Sequence, residues 1–163
     1  MSTQNDSTNM KPMLVGPDGG ESITVVGDRV RILADSDSTA GQCAIFDTFV
    51  APGLGPPLHR HQREDEYFYV QAGTAKFSIE GKVHTCGPGT FLLAPRGSVH
   101  TFVNAGATPL RMVISVTPGG LERPFRENAA LFLRRPDASF AELEAIFKAY
   151  GIEILGPPLS PHT

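Results

Sequence analysis

The sequence has few of the features that mark membrane, secreted or disulfide-rich proteins. It holds two cysteines and no tryptophan among 163 residues, and Cys43 and Cys86 lie far apart without CxxC spacing. No run of about 18 apolar residues occurs, so we expect no membrane-spanning helix. The polar start of the chain lacks the apolar centre of a secretory signal. These absences predict two inert structural thiols in a reducing, cytoplasmic location.

Positive charge is also scarce. The chain has 14 Lys and Arg against 17 Asp and Glu, which gives a formal net charge of −3. Nucleic acids and anionic membranes are usually bound through a basic surface. The balance therefore excludes both as main partners and favours a small-molecule substrate.

Turn-forming residues divide the chain into short elements. There are 17 glycines and 14 prolines, and they are spread along the sequence, so they separate secondary-structure elements rather than form a disordered tract. We predict a disordered polar tail at 1–13, a β-barrel at 14–117 and a C-terminal helical extension at 118–163, which packs on the barrel or on a partner subunit. The length fits a single domain with a substantial core.

The barrel prediction rests on eight short β-rich runs that turn signals separate. Many short strands at such intervals are typical of an antiparallel sandwich or barrel. The eight runs are Ile23–Val26, Val30–Leu33, Cys43–Val50, Tyr67–Gln71, Ala75–Ile79, Thr90–Ala94, Thr101–Val103 and Leu110–Val116.

Helical signals appear only near the C-terminus. Ser139 followed by Glu142 fits a capping box, apolar residues recur at helical spacing after it, and Gly151 supplies a stop. The pattern predicts a helix at 139–150 whose apolar stripe covers one end of the barrel or a partner. One or two short helical turns are expected within Leu121–Phe132.

The stretch PPLHRHQREDEYFYV, residues 56–70, carries the first chemical signal. In an extended segment His59 and His61 project to one side and Arg60 to the other. Two imidazoles on one side of a strand suit a metal, and a carboxylate from the next strand would complete the set. A single His-x-His is also common on protein surfaces, so this segment alone leaves both interpretations open.

A second segment, GPGTFLLAPRGSVHTFVN, brings His100 to the start of another apolar strand. Together the two segments resemble the signatures of the cupins, small β-barrel proteins. The first signature has a glycine, His-x-His, a glutamate and a glycine; the second has a glycine, Pro-x-Gly, a histidine and an asparagine. This sequence fills those positions, in order, with Gly53, His59, His61, Glu66, Gly73, Gly89, Pro95, Gly97, His100 and Asn104.

The resemblance implies a cupin double-stranded β-helix, a jelly-roll barrel, with a short C-terminal helical segment. It also implies that His59, His61, Glu66 and His100 bind one metal ion. Motif spacing selects Glu66, because Asp65 is not a glutamate and lies one residue too far from the motif glycine. We interpret Glu64 and Asp65 as solvated loop charges.

Three imidazoles and one carboxylate suit a divalent transition metal. Iron(II) is favoured, and manganese, nickel, copper and zinc fit the same donors. A tetrahedral zinc site with a purely structural role would use the same ligands.

Strand alternation predicts the wall of a substrate pocket. If Glu66 and His100 face inward, Phe68 and Phe102 do too, and Met112 and Ile114 share one face of a later strand. Barrel interiors are apolar in any case, so these four residues indicate core before they indicate a substrate. The run Cys43–Val50 is apolar on both faces and leaves open whether Phe46 or Phe49 joins the wall.

Within the cupins, the tail PGGLERPFRE and the segment YGIEILGPP look most like single-domain bacterial proteins similar to quercetin 2,3-dioxygenase. That resemblance implies a dioxygenase acting on a small hydroxylated, aromatic or enolic substrate, with Glu66 as the base that takes the hydroxyl proton. The alternatives are a metal-dependent isomerase or lyase and a non-catalytic ligand-binding cupin, because fold does not fix function. A homodimer is also expected, in which the N-terminal strands at 23–33 cover an open barrel edge of a neighbour.

Overall fold

The computed structural model describes residues 10–162, and these contain eleven strands and two helices. Along the chain, the strands and helices occur in this order: β1 (Glu21–Val25), β2 (Asp28–Ala34), β3 (Ala44–Val50), β4 (Pro57–His61), β5 (Asp65–Ala72), β6 (Ala75–Ile79), β7 (Lys82–Cys86), β8 (Phe91–Ala94), β9 (His100–Asn104), β10 (Leu110–Thr117), α1 (Glu122–Arg134), α2 (Phe140–Ala149) and β11 (Ile152–Pro158).

Two antiparallel sheets form the barrel. The six-stranded sheet has the order β1-β2-β3-β10-β5-β8, and the five-stranded sheet has the order β11-β4-β9-β6-β7. Consecutive strands such as β3 and β4, or β9 and β10, lie in different sheets, which gives the jelly-roll connectivity. The predicted all-β jelly-roll barrel with a C-terminal helical segment is therefore confirmed.

Alternating burial explains why these segments form strands around one core. In β10 each apolar residue from Leu110 to Val116 that faces inward is buried, and each intervening residue is partly exposed. The same period of two holds in β2. Such alternation lets one face of a sheet pack on the interior while the other meets solvent.

The eight predicted strands all exist, with ends displaced by a few residues, and three further strands are present. β4 lies in the stretch that the sequence analysis treated only as an extended segment, and β7 and β11 were missed. In β7 four of the five residues are exposed, so no apolar face marks it in the sequence. The sequence of β11 is typical of a turn, because it contains a glycine and two prolines. Prolines are tolerated there because β11 is the edge strand of its sheet, paired only with β4. The C-terminal extension thus adds a strand to the barrel as well as helices.

The N-terminal part of the described chain adds two strands, β1 and β2, to the six-stranded sheet. Residues 1–9 of the predicted polar tail lie outside the described residues, and 10–20 contain no helix or strand. β2 pairs with β3 of the same chain, so the N-terminal strands extend their own sheet. Among residues 10–162, neither helix is long and apolar enough to cross a membrane.

The helix prediction at 139–150 is confirmed. Ser139 and Glu142 form the predicted capping box, and Gly151 adopts a φ of 80° just after the helix. The short turns expected within Leu121–Phe132 are in fact one helix of 13 residues, α1. Its first residue, Glu122, is buried and accepts hydrogen bonds from the backbone N–H groups of Ser36 (3.1 Å) and Gly120 (3.0 Å), which anchors α1 to the end of β2.

Candidate metal centre

Four buried side chains meet between the two sheets. His59 and His100 are directly opposed partners on β4 and β9, and His61 lies two residues further along β4, on the same face. Glu66 reaches the three imidazoles from β5, in the other sheet. One ligand atom from each of these four side chains can be chosen so that all lie within 4.8 Å of one another. The structure thus brings together the four residues for which the sequence predicted metal binding.

Glu66 is the shared contact of the cluster. Its Oε2 atom lies 2.9 Å from Nε2 of His100 and 3.2 Å from Nε2 of His61. The imidazole rings are close as well, with centroids 4.5 Å apart for His59 and His100. Three rings and one carboxylate therefore enclose a space of the size that a single ion would fill.

The outer ring nitrogens are held by other groups. Nδ1 of His59 lies 2.8 Å from the carbonyl oxygen of Pro57, and Nδ1 of His100 lies 3.1 Å from that of Ser98. A carbonyl oxygen only accepts, so Nδ1 of both rings carries a hydrogen, and Nε2 of both rings faces the cluster as the nitrogen that would bind a metal. This fixes the tautomer that a metal ligand needs.

The position of Glu64 differs from the prediction that it is a solvated loop charge. Its side chain is buried, with the residue 4% exposed, and Oε2 lies 3.3 Å from Nδ1 of His61. The interpretation of Glu64 as a solvated loop charge is therefore wrong, because the turn after β4 folds it back onto the histidine three residues earlier. Asp65 does face solvent, and it forms an ion pair with Arg96 (2.9 Å).

Burial and neighbouring charges shift the pKa values of the cluster residues in different directions. Burial, together with the neighbouring imidazoles, lowers the pKa of His59 to about 3. Burial acts in the same direction on His61, but Glu66 and Glu64 outweigh it and raise that pKa to about 9. Burial favours the neutral form of Glu66, yet His61 and His100 hold its pKa below the ordinary value. Without a metal, Glu66 is anionic and His61 is its cationic partner at neutral pH.

This donor set fits a divalent cation. The positive charge that Glu66 requires is supplied by the His61 proton when no ion is bound, and an ion would take that place. A carboxylate and three imidazoles with fixed tautomers are suitable ligands for Fe(II), Mn, Ni, Cu or Zn.

A cavity opens beside the cluster. His59, His61 and Glu66 form part of its wall. The rest of the wall is mainly apolar, and α2 contributes to it with Phe140, Leu143 and Phe147. The apolar stripe of α2 thus covers the barrel of its own chain.

An aromatic contact connects α2 to the barrel. The ring of Phe125 on α1 lies 5.3 Å from Phe46 on β3 and 6.3 Å from Phe147 on α2, measured between centroids. Phe46 lines the cavity. Phe49 points outward, where the guanidinium of Arg29 lies 4.1 Å from its ring centroid. The sequence left open whether Phe46 or Phe49 joins the cavity wall, and the structure places Phe46 there.

The four predicted pocket residues divide into two pairs. Phe102 and Ile114 line the cavity. Phe68 and Met112 do not; they are 1% and 0% exposed in the core. The alternation of residues along a strand predicts which face of the sheet a side chain occupies. It does not predict whether that side chain lines the cavity or lies deeper in the core. Phe68 lies behind the centre, with its ring 6.0 Å from that of His100.

The motif turns hold the strands that carry the ligands. Gly97 has a φ of 86°, and its N–H donates to the carbonyl of His61 (2.7 Å), which ties the loop before β9 to the end of β4. Asn104 braces a neighbouring turn, since its amide donates to the carbonyls of Val50 (2.9 Å) and Thr108 (2.8 Å). These residues position the centre without touching it.

Comparison with known proteins agrees with this architecture. The family profile described as a cupin domain matches residues 46–117. A mannose-1-phosphate guanylyltransferase of Sinorhizobium fredii is 28% identical over 106 residues, which are 65% of this chain but only 18% of that protein. Protein SchB of Streptomyces halstedii is 32% identical over 94 residues, 56% of this chain and 67% of that protein. The structure of KdgF from Halomonas sp. superposes with a TM-score of 0.61 at 19% identity, covering 69% of this chain and 98% of that one, and it supports the fold.

The raised pKa of His61 predicts how the stability of the metal-free protein depends on pH. A folded-state pKa of about 9, against 6.5 for the unpaired group, stabilises the fold below pH 6.5, and this contribution is lost as the pH rises to about 9. We expect the free energy of unfolding, measured with urea in the presence of a chelator, to fall by on the order of 2 kcal/mol over that range. His61→Gln flattens this slope. His84→Gln, at an exposed strand position, keeps it; an equal slope in both variants contradicts the assignment.

Glu64 is predicted to support metal binding through His61. Glu64→Ala removes the acceptor that orients the ring, so affinity for Zn²⁺ or Co²⁺ should fall by about 10- to 100-fold in a chelator competition assay. Glu64→Gln keeps an acceptor oxygen and should lose less. Glu153→Gln, which breaks only a surface pair with Arg60, is the matched control. Unchanged affinity in Glu64→Ala would show that Glu64 serves the fold alone.

Proposed function

This chain is a cupin-domain protein, and we propose that it is a metal-dependent dioxygenase that acts on a small, neutral, hydroxylated substrate of aromatic or enolic type. His59, His61, Glu66 and His100 would hold the ion, with Fe(II) favoured. The bound ion supplies a Lewis acid that lowers the pKa of a substrate hydroxyl and a redox centre for reaction with dioxygen.

The composition of the cavity wall carries this proposal. Among the described residues that line it, Asp28, Glu66 and Glu144 are acidic, and His61 carries a positive charge while no ion is bound. None of these lining residues is a lysine or an arginine, the side chains that normally bind a phosphate or carboxylate. The wall therefore favours a neutral molecule with a large apolar surface.

Glu66 has the position and charge of a proton acceptor. It is the one carboxylate of the cluster, it lines the cavity, and its pKa lies below the ordinary value, so it is anionic at neutral pH. A hydroxyl of a substrate bound in the cavity would give its proton to Glu66. The same residue thus serves as ligand and base, as the resemblance to quercetinases implies.

The two helices and the residue before α1 add apolar side chains to the cavity wall. Leu121 and Leu143 are almost fully buried there, and Phe125 packs between the barrel and α2. Such a wall excludes water from a reactive oxygenated substrate and strengthens electrostatic contacts within the site.

A second function, metal-dependent isomerase or lyase chemistry without oxygen, would use the same four residues to hold an ion that acts only as a Lewis acid. The chain is similar to part of a mannose-1-phosphate guanylyltransferase, and that name concerns a sugar phosphate. The acidic and apolar wall opposes a phosphorylated substrate in this chain, so the dioxygenase remains the better-supported proposal.

An oxygen-pulse experiment separates the two functions. Protein loaded with Fe(II) is mixed anaerobically with flavonols, catechols and enols, and a measured pulse of oxygen is then added. We expect oxygen uptake equal to substrate loss for at least one of these classes. Glu66→Gln should reduce the rate per bound ion by about 100-fold or more, since it removes the base, and Glu153→Gln should not change it. Substrate conversion under strict anaerobiosis, or in Zn²⁺-loaded protein, supports the isomerase or lyase; no oxygen uptake with any of the compounds contradicts the dioxygenase.

A further inference from the structure

The two sheets have four edge strands, and three of these edges are protected against pairing with another chain. β1 lies against α1, where Arg126 pairs with Glu21 at 2.7 Å. β7 carries Lys82 among four exposed residues. β11 ends in two prolines and packs on α2. A covering helix, a charged side chain and proline are the usual means by which proteins keep an edge strand from pairing with another chain.

β8 is the fourth edge strand, and it has none of these features. Its sequence, Phe-Leu-Leu-Ala, contains no charged residue, glycine or proline. It pairs with β5 on one side, and no strand within residues 10–162 pairs with its other side. The backbone N–H and C=O groups on that free side therefore remain available to an added strand.

The outward face of the sheet beside this free edge is apolar. Phe91, Tyr69 and Leu93 are 62%, 47% and 43% exposed. The strand register places Phe91 opposite Tyr69, and Leu93 opposite the partly exposed Tyr67. These four side chains form one continuous surface, the β8 strip. An unprotected edge and an exposed apolar face thus occur side by side at the same border of the six-stranded sheet.

We propose that β8 is a dimerisation edge, which pairs antiparallel with β8 of a second copy of this chain. A two-fold axis through Leu92 would place Phe91 opposite Leu93 of the second copy. The outward faces of the two sheets then lie on the same side, so the two β8 strips meet and partly cover each other. This self-complementarity favours a second copy over an unrelated partner.

The charges around the β8 strip allow this approach. The strip itself has no charged residue, and Asp65, two residues before Tyr67 on β5, already pairs with Arg96 at 2.9 Å. Two copies therefore bring no unpaired charge into the junction. The sequence predicted a different dimer, in which the N-terminal strands cover a neighbour. In the structure, β1 and β2 extend their own sheet instead.

The size of the β8 strip predicts a reversible dimer. Side chains with these exposures offer on the order of 350 Å² of apolar surface per chain. A standard stable interface covers about 800 Å² per partner, and transient interfaces cover less. The edge of β8 adds only the backbone bonds of a strand of four residues. The dimer should therefore dissociate on dilution into folded monomers.

Two measurements on the full-length natural protein test for this dimer and locate it. Sedimentation equilibrium from about 1 to about 500 µM should show a monomer–dimer equilibrium with a Kd in the micromolar range. Hydrogen exchange followed by mass spectrometry is then compared at the two ends of that range. Peptides that contain Phe91–Ala94 should exchange more slowly at the higher concentration, because an added strand bonds their backbone. Peptides from β7, the other edge nearby in the chain, should not change.

A matched pair of variants shows whether the β8 strip forms the contact. Leu93→Lys puts a charge into the strip and should weaken the dimer by about 10-fold or more. Leu155→Lys is the control, since Leu155 is 41% exposed and lies in β11, the edge strand of the other sheet. It should leave the Kd unchanged. Both variants should unfold near the urea midpoint of the natural monomer, because the replaced side chains are already largely exposed.

Three results would overturn the proposal. The first is a natural protein that stays monomeric over the whole concentration range. The second is a dimer that Leu93→Lys and Phe91→Lys leave unchanged, or that protects amides outside β8, since it would use another surface. The third is an equal weakening by Leu155→Lys, which would make the loss a general effect of added charge. Should Leu93→Lys fail to fold, hydrogen exchange in the natural protein decides by itself. None of these results depends on the metal centre or on the proposed dioxygenase activity.

Discussion

The contact of Glu66 with His61 and His100 joins the two sheets of the barrel, and the rest of the site depends on it. The carboxylate comes from the six-stranded sheet and the imidazoles from the five-stranded sheet, so their meeting fixes how the sheets face each other at this end of the barrel. A buried carboxylate without a positive partner would cost several kcal/mol. In this protein His61 supplies that charge when no ion is present, and the same arrangement accepts a metal in its place. The carbonyls of Pro57 and Ser98 and the carboxylate of Glu64 then orient the rings from outside.

The side chains that line the cavity beside this contact restrict the proposed class of substrate more than the fold does. Cupin barrels carry many activities, and a metal site alone does not choose among them. The cavity next to the cluster has a mainly apolar wall with three acids and neither lysine nor arginine among the described residues, which is why we propose a neutral substrate rather than a sugar phosphate.

Much of this could be predicted from the sequence. Glycine and proline positions and alternating strands gave the barrel, and the spacing of His59, His61, Glu66 and His100 identified the side chains that meet in it. The parts that could not be predicted have physical reasons. Glu64 lies in an acidic run beside a turn, and only its contact with a ring three residues earlier shows that it is buried. Alternation gave Phe68 and Met112 the correct face but not their depth. Asp28 stands alone in the sequence, and only the folded chain shows that its Oδ1 atom is buried without a hydrogen-bond partner.

Metal content tests the central claim most directly. Protein purified without a histidine tag, reconstituted with Fe(II) under anaerobic conditions and dialysed, should contain about one ion per chain by elemental analysis. The double variant His59→Ala, His61→Ala should contain almost none while keeping the β-sheet signature in circular dichroism. A natural protein that retains no ion, or a double variant that retains as much as the natural protein, would contradict the account.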